Sequence, residues 1–447
     1  MRVVRMPAAK QVRFIAAAMV GIALLLVAVS FAKQHGGITP FGPELGGDYP
    51  AFYVAGRILN SAPERLHDMA LQERLYHQVI PDAPPGQFLL YPSAPFLAIL
   101  FRPLALLPYA WSHLAWLVIS ASLALAGFWL LWKATPGGAE KGDRHLLCEA
   151  GHQPKAGRGP FRQKVPVPFF PTGLAGGDRL TAMLAAFSFT PFLFEGWVSG
   201  QICAVAIFCA AAAIYLRQQG REFSAGMVLA VLTFKPTLLL LLLPMLVVTR
   251  SFRVLCGVAA SGLVLLAISF WAVGYDGCLG FLRFLARYAE AERVAPEMLK
   301  SSWKYVDLRS AAYPIFLHPS PWSSAMLAVL VAAAAMLLWR TWRHCTDWRL
   351  AWATALIWTP VLSPHCAIYD TVLLIPAVFL AAPAQKSSDW FWPLVMLVYL
   401  AAWCSQPIAA MTGFQPLSAA IVLLGLHVCY TEAPATLWRR SRRQTFL

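Results

Sequence analysis

The sequence predicts an all-α polytopic membrane protein of about twelve spans, and three observations carry that prediction. Hydrophobic residues make up 59% of the 447 and charged residues only 13%, where a soluble domain carries about 25% charged. Apolar stretches of bilayer-crossing length recur from end to end. Lys and Arg gather in clusters between them, as they do on cytoplasmic loops. The net charge of +15 therefore reads as membrane asymmetry and attraction to anionic headgroups. No aromatic-interleaved basic groove points to nucleic acid.

The elements follow in order. Arg2, Arg5, Lys10 and Arg13 precede the apolar run from Phe14 to Ala32. Ser30-Phe31-Ala32 loosely resembles a signal-peptidase site, but the run is long for a signal segment and reads as a retained first span. Further spans are expected near 92–108, 110–132, 179–195, 197–216, 223–249, 254–273, 321–339, 350–362, 367–383, 389–404 and 415–431. Alternation along them places the N-terminus, Arg250 with Arg253, Arg340 with Arg343 and Arg349, and the Arg439-to-Arg443 tail on one side. That side is cytoplasmic by the positive-inside rule, with both termini on it.

Residues 1–447 then form one integral-membrane domain, with extracytoplasmic loops at 33–91 and 274–320 and a basic cytoplasmic tail at 432–447. The Gly/Pro-rich stretch 134–178 resists the pattern, since alternation puts it outside although it holds Lys141, Arg144, Lys155, Arg158, Arg162 and Lys164. Either it is a tolerated basic insertion or a span nearby is miscounted. In the first loop, Phe52, Ala55 and Leu59, then Leu71, Leu75 and Val79, recur at helical spacing, which predicts two helices lying apolar side down on the membrane. Nine cysteines are scattered without a Cys-x-x-Cys pair and suit small buried hydrophobes.

Short signatures occur in a recognisable order. Gly47-Asp48 with Tyr53 and Ala55-Gly56 precedes Leu66-His67-Asp68. Tyr91-Pro92-Ser93-Ala94-Pro95, Pro103 to Pro108, Gly200-Gln201, Lys235-Pro236 and Ser363-Pro364-His365 follow. This order resembles glycosyltransferase family 87, the GT-C-fold enzymes that include polyprenol-phosphate-mannose-dependent mannosyltransferases, over roughly 40–435. Three departures bear on donor and acceptor identity, one being that the late loop holds a single histidine, His365, where the family commonly has aromatic and histidine clusters. The family's Tyr-Pro-Pro is Tyr91-Pro92-Ser93 here, and an Asn often found after the Gly-Gln gives way to Ile202-Cys203-Ala204.

The resemblance implies an inverting transfer of a sugar, mannose or another hexose first, from a polyprenyl-phosphate donor to an acceptor hydroxyl on a glycolipid or glycan. The reaction would run among membrane lipids at the outer face of the bacterial inner membrane. A phosphate leaving group is already a stable anion and needs no acid, whereas the hydroxyl needs a base. One carboxylate suffices, unlike the acid-and-base pair of an inverting glycosidase. Asp48 is the expected base, although Asp before Tyr49-Pro50 is also a good helix N-cap. Glu44 is a second carboxylate nearby, a candidate acceptor or metal ligand.

Lys235, inside an apolar run, either binds the lipid phosphate or is paired with Glu195 or headgroups. Gln201 is a sugar or phosphate ligand or interhelical glue. His365 contacts phosphate or acceptor or is an interfacial histidine. Lys304 and Arg309, with Lys300 and Trp303, suit an anionic headgroup or serve as an interfacial anchor. Tyr91 is a donor or acceptor contact or, by preference, an aromatic-belt residue. No cofactor is expected, and a divalent metal is left open. The rival class is a secondary transporter or lipid flippase, which commonly shows matching broken helices in two halves. Lys235-Pro236 has no evident partner of that kind.

Overall fold

The structure, a computed structural model, describes residues 9–84, 86–135, 179–294, 302–311, 320–385 and 388–444. Among them all extended regular elements are helical, and bridge pairings are isolated ones such as Tyr305 with Ala367. Five described helices are long and apolar enough to cross a membrane: Lys10–Lys33, Tyr109–Ala134, Phe252–Arg287, Pro321–His344 and Phe391–Thr412. A bent pair, Leu180–Phe187 and Thr190–Val198, meets at 57° and makes a sixth if it is one span. Shorter apolar helices cover Cys203–Gln218, Glu222–Phe234, Pro236–Val248, Ile368–Ala381 and Pro416–Thr431.

Five or six of the twelve expected spans are thus met by helices of crossing length, and two of the others are broken outright. In 92–108, four prolines (Pro92, Pro95, Pro103, Pro108) leave only the helix Pro95–Phe101 and a 3-10 turn, Leu104–Leu106. Proline removes a backbone donor and clashes with the preceding turn, so a 17-residue apolar run here cannot be one helix. In 223–249 the helix breaks at Lys235, where the backbone turns to φ −135°, ψ 89°. Arg217 donates to Ser251 at 3.0 Å and Arg349 to Gln218 at 2.6 Å, so the residues flanking this segment lie together. The segment therefore folds back as a hairpin with Lys235 at its turn.

Close backbone packing holds the hairpin against the following long helix. A Cβ on Gly226 would lie 2.0 Å from the Val254 carbonyl oxygen, and one on Gly257 2.0 Å from that of Phe223. Small residues allow this approach, which is how apolar helices associate without a hydrophobic driving force between them.

These changes regroup the basic residues. Arg13 bonds Thr181 at 2.7 Å, and Thr135 lines a small space with Arg349 and Leu380. Thr135 and Thr181, either side of the basic stretch, thus lie at the end that carries Arg217, Arg349 and Ser251. The count of alternating spans that put 134–178 opposite its fellow cations is corrected at its flanks; residues 136–178 themselves lie outside the described residues. The tail continues the helix Pro416–Gln444, and 445–447 lie outside the described residues.

The region 33–91 also differs from expectation. Its helix Tyr49–Ser61 is buried on nearly every side rather than lying flat on a surface. Its polar groups find partners inside: Tyr49 Oη shares a 2.6 Å hydrogen bond with Ser112 Oγ, and Tyr53 Oη donates to Leu107 O at 2.8 Å. The second region begins as helix, since Phe252–Val294 runs on past a break at Gly274 (φ 70°). Its far half rests on the first region, with the Phe281 ring 4.8 Å from that of His67. Of the cysteines in apolar stretches, expected as small buried hydrophobes, Cys203, Cys209, Cys366 and Cys429 are buried, whereas Cys256 is exposed.

Candidate active site

Two glycine turns interlock to build the site. Gly46 (φ 82°) and Gly47 (φ 50°) precede Asp48, and Gly200 (φ 66°) precedes Gln201. Each conformation is one that side chains resist, and each glycine faces the other turn or its support. A Cβ on Gly47 would meet Ser199 at 2.9 Å, and one on Gly200 would meet Tyr49 Cβ at 2.6 Å. Asp48 N–H donates to Ser199 O at 2.9 Å, and Trp116 Nε1 donates to Gly200 O at 2.8 Å. The turn ahead of Gln201 ends a π-helical stretch, Leu193–Val198, a wide turn frequent at functional sites.

The result is a 2.5 Å hydrogen bond from Gln201 Nε2 to Asp48 Oδ2. Asp48 occupies the N-cap position of Tyr49–Ser61 but its side chain makes no capping bond. The helix-cap alternative for its carboxylate therefore falls. Burial raises the Asp48 pKa above its ordinary value, with Glu44 adding to the rise; the Gln201 bond and the positive charges of Lys304 and Lys235 oppose it. A carboxylate so placed is a stronger base than an exposed one, and the two cations lie close enough to act on it.

Lys235 is ion-paired, but not with Glu195. Its Nζ lies 2.5 Å from Asp370 Oδ2 and 4.7 Å from the centre of the Tyr369 ring. Glu195, the partner weighed from sequence, bonds Gln406 instead. Asp370 Oδ2 also accepts Ala367 N–H at 3.1 Å. The pairing of Asp370 with Lys235 has no signal in the sequence beyond an acid beside Tyr369, at the start of an apolar stretch. The same segment helps to seat residues 303–306: Val306 N–H donates to Cys366 O at 2.9 Å, and Gln415, from the turn before Pro416, donates through Nε2 to the carbonyls of Trp303 and Tyr305. Lys304 ends a 3-10 turn, Ser302–Lys304, in this pinned segment, with its Nζ 5.0 Å from the Trp303 ring centre.

The remaining candidates divide. The His365 ring packs 4.2 Å from that of Tyr305; burial, helped by Lys235, pulls its pKa down to about 4, so it is neutral at neutral pH and lies near the cations. Arg309 is exposed on the short turn Leu308–Ala311, and nothing ties it to Asp48. Buried Asp307 caps that turn, accepting from Ser310 N–H at 3.0 Å. Lys300 lies outside the described residues. Tyr91 is fully buried and donates to Ala94 O at 3.1 Å. It is a packing residue, neither a belt aromatic nor positioned to meet a ligand. Glu44 Oε1 accepts from Tyr76 Oη at 3.0 Å. Among the described residues no group of three or more His, Cys, Asp or Glu is arranged to hold a metal ion.

The family model of glycosyltransferase family 87 matches residues 88–364. The match includes Gln201, Lys235 and Lys304; Asp48 lies before it and His365 directly after it. No curated protein and no solved structure matches the chain. The matched segment is more than half of the protein, and the chain belongs to glycosyltransferase family 87.

Proposed function

We propose that the protein is an inverting GT-C-type glycosyltransferase. It moves mannose or another hexose from a polyprenyl phosphate to an acceptor hydroxyl on a glycolipid or glycan, at the extracytoplasmic face of a bacterial inner membrane. The observation that carries the proposal is the Asp48 carboxylate: buried, free of any capping role, bonded by Gln201 and facing the fields of Lys304 and Lys235. Asp48 takes the acceptor proton as the hydroxyl oxygen attacks the anomeric carbon. The bond to the lipid phosphate breaks on the opposite side, and the phosphate departs as an anion. General-base help of this kind is worth about 10²–10⁴ in rate. Lys304, and Lys235 within its pair with Asp370, stabilise the departing charge.

Sidedness rests on charge. Lys10, Arg13, Arg217, Arg250, Arg253, Arg340, Arg343 and Arg349 belong to the end opposite Asp48. The positive-inside rule makes that end, with both termini, cytoplasmic. Family membership and a site built on loops favour this enzyme over a transporter. The test is Asp48→Asn, assayed with a polyprenyl-phosphate-mannose donor and native membrane acceptors. Transfer falls by about 10²–10⁴ with membrane insertion intact; transfer at the wild-type rate rules Asp48 out as the base.

A further inference from the structure

Beside the Gly46-Gly47 turn lies a cavity of about 250 Å³, lined by neither Lys235 nor Lys304, which the chemistry above does not use. Its walls include Ser30, Phe31, Thr39, Glu44, His113 and Ser199, and none of its lining residues is Lys or Arg. Its volume corresponds to about eight waters at ~30 Å³ each, enough for a small ring. Hydroxyls, a carboxylate and aromatic faces around a partly apolar space are the mix that fixes a small ligand's orientation.

Three features narrow the ligand. Glu44 disfavours an anion and no Lys or Arg among the lining residues offsets it, so a phosphate is repelled. Glu44 Oε1 already accepts from Tyr76, and Ser30, Thr39 and Ser199 line the same cavity, a set of polar groups that suits neutral hydroxyls. His113 is 1% exposed with neither ring nitrogen hydrogen-bonded, although its ring is stacked between Phe31 at 5.3 Å and Tyr49 at 5.0 Å. A buried imidazole without partners is costly, and a neutral one offers one donor and one acceptor. The α-helical wall, Leu26 to Phe31, belongs to the first span, whose Ile22, Leu24 and Leu25 are exposed, a surface for a lipid's chain.

We infer that this cavity seats the uncharged, polyhydroxylated headgroup of the acceptor lipid, while the anionic donor occupies the cationic side. Gly46 and Gly47 line the cavity and Asp48 follows them directly in the chain, so the base adjoins the acceptor's seat. The inference rests on the glycosyltransferase reading for the word acceptor, but the site itself is testable without it.

The probe is n-octyl glucoside below its micellar concentration, titrated against the full-length protein in lipid nanodiscs, with octyl phosphate and octyltrimethylammonium as comparisons. Octyl glucoside binds in preference to both. Ser30→Trp, which fills the cavity, weakens it by about tenfold or more, and Glu44→Gln by a few-fold. In transfer assays the same variants raise the acceptor KM more than the donor KM. Unchanged octyl glucoside affinity in both variants, or tighter binding of either charged probe, overturns the inference. Should Asp48→Asn retain transfer while Ser30→Trp still loses the glucoside, the proposed base fails and the cavity stands.

Discussion

Replacing Gln201 with Leu removes one hydrogen bond from a buried carboxylate and little else. Gln201 is 8% exposed, its amide reaches Asp48 at 2.5 Å, and Leu fills much of the same space. A hydrogen bond to a charged group is worth about 1.5–3 kcal/mol, and 1.4 kcal/mol is about a factor of ten. The bond favours ionised Asp48 and opposes the effect of burial, so its loss pushes the pKa further up. The working base is the ionised form. On the acid limb of a pH–rate profile the variant should therefore lose about 10–100-fold in kcat/KM. Above the limb in both proteins the two rates should converge. The assay is transfer from a polyprenyl-phosphate sugar across the pH range in which the protein stays folded. A loss equal at every pH would mean that Gln201 binds substrate rather than tunes Asp48, and an unmoved limb would refute the electrostatic argument.

Other outcomes follow from the same geometry. The folded-state pKa of Asp48 is raised, so its ionisation opposes folding. That loss begins as pH rises past the ordinary carboxylate value and is complete above the folded-state pKa. Asp48→Asn should thus melt no lower than wild type at neutral pH, and thermal unfolding against pH checks this. Asp370→Leu leaves Lys235 without its partner and should destabilise by about 3–5 kcal/mol; Lys235→Met with Asp370→Leu should recover most of that loss in chemical denaturation. Gly226→Leu drives a side chain into the Val254 carbonyl and should cost about 1–3 kcal/mol or more, read as lost thermal stability in detergent.

Much of this architecture is legible in composition and spacing, because lipid demands helices and periodic apolar length marks them. Proline tells against that reading at 92–108, where four of them outweigh hydropathy. Asp48 and Gln201 are both visible as polar residues in special places. Their mutual bond is not, since it depends on three left-handed glycines whose conformations no periodicity reports. The pairing of Asp370 escaped because its partner lies 135 residues away and pairing across a bundle leaves no local trace. The helix Tyr49–Ser61 misled for a related reason: its apolar stripe is real, but Ser112 and the Leu107 carbonyl, from distant positions, let its tyrosine side be buried too.

The hairpin that carries Lys235 bears on how the protein is made. Neither arm, Glu222–Phe234 nor Pro236–Val248, reaches the ~17 residues that an independent crossing needs. Lys235 leaves the ribosome long before Asp370, and a lone cation at membrane depth costs about 2.5–3.5 kcal/mol. A short, charged hairpin has little reason to enter lipid by itself. Its stable seating waits for Ile368–Ala381 to be synthesised and bring the carboxylate. Truncated chains ending before that helix should therefore leave Lys235 open to water-borne labels, and biogenesis completes the sugar-transfer chamber only in its closing stage.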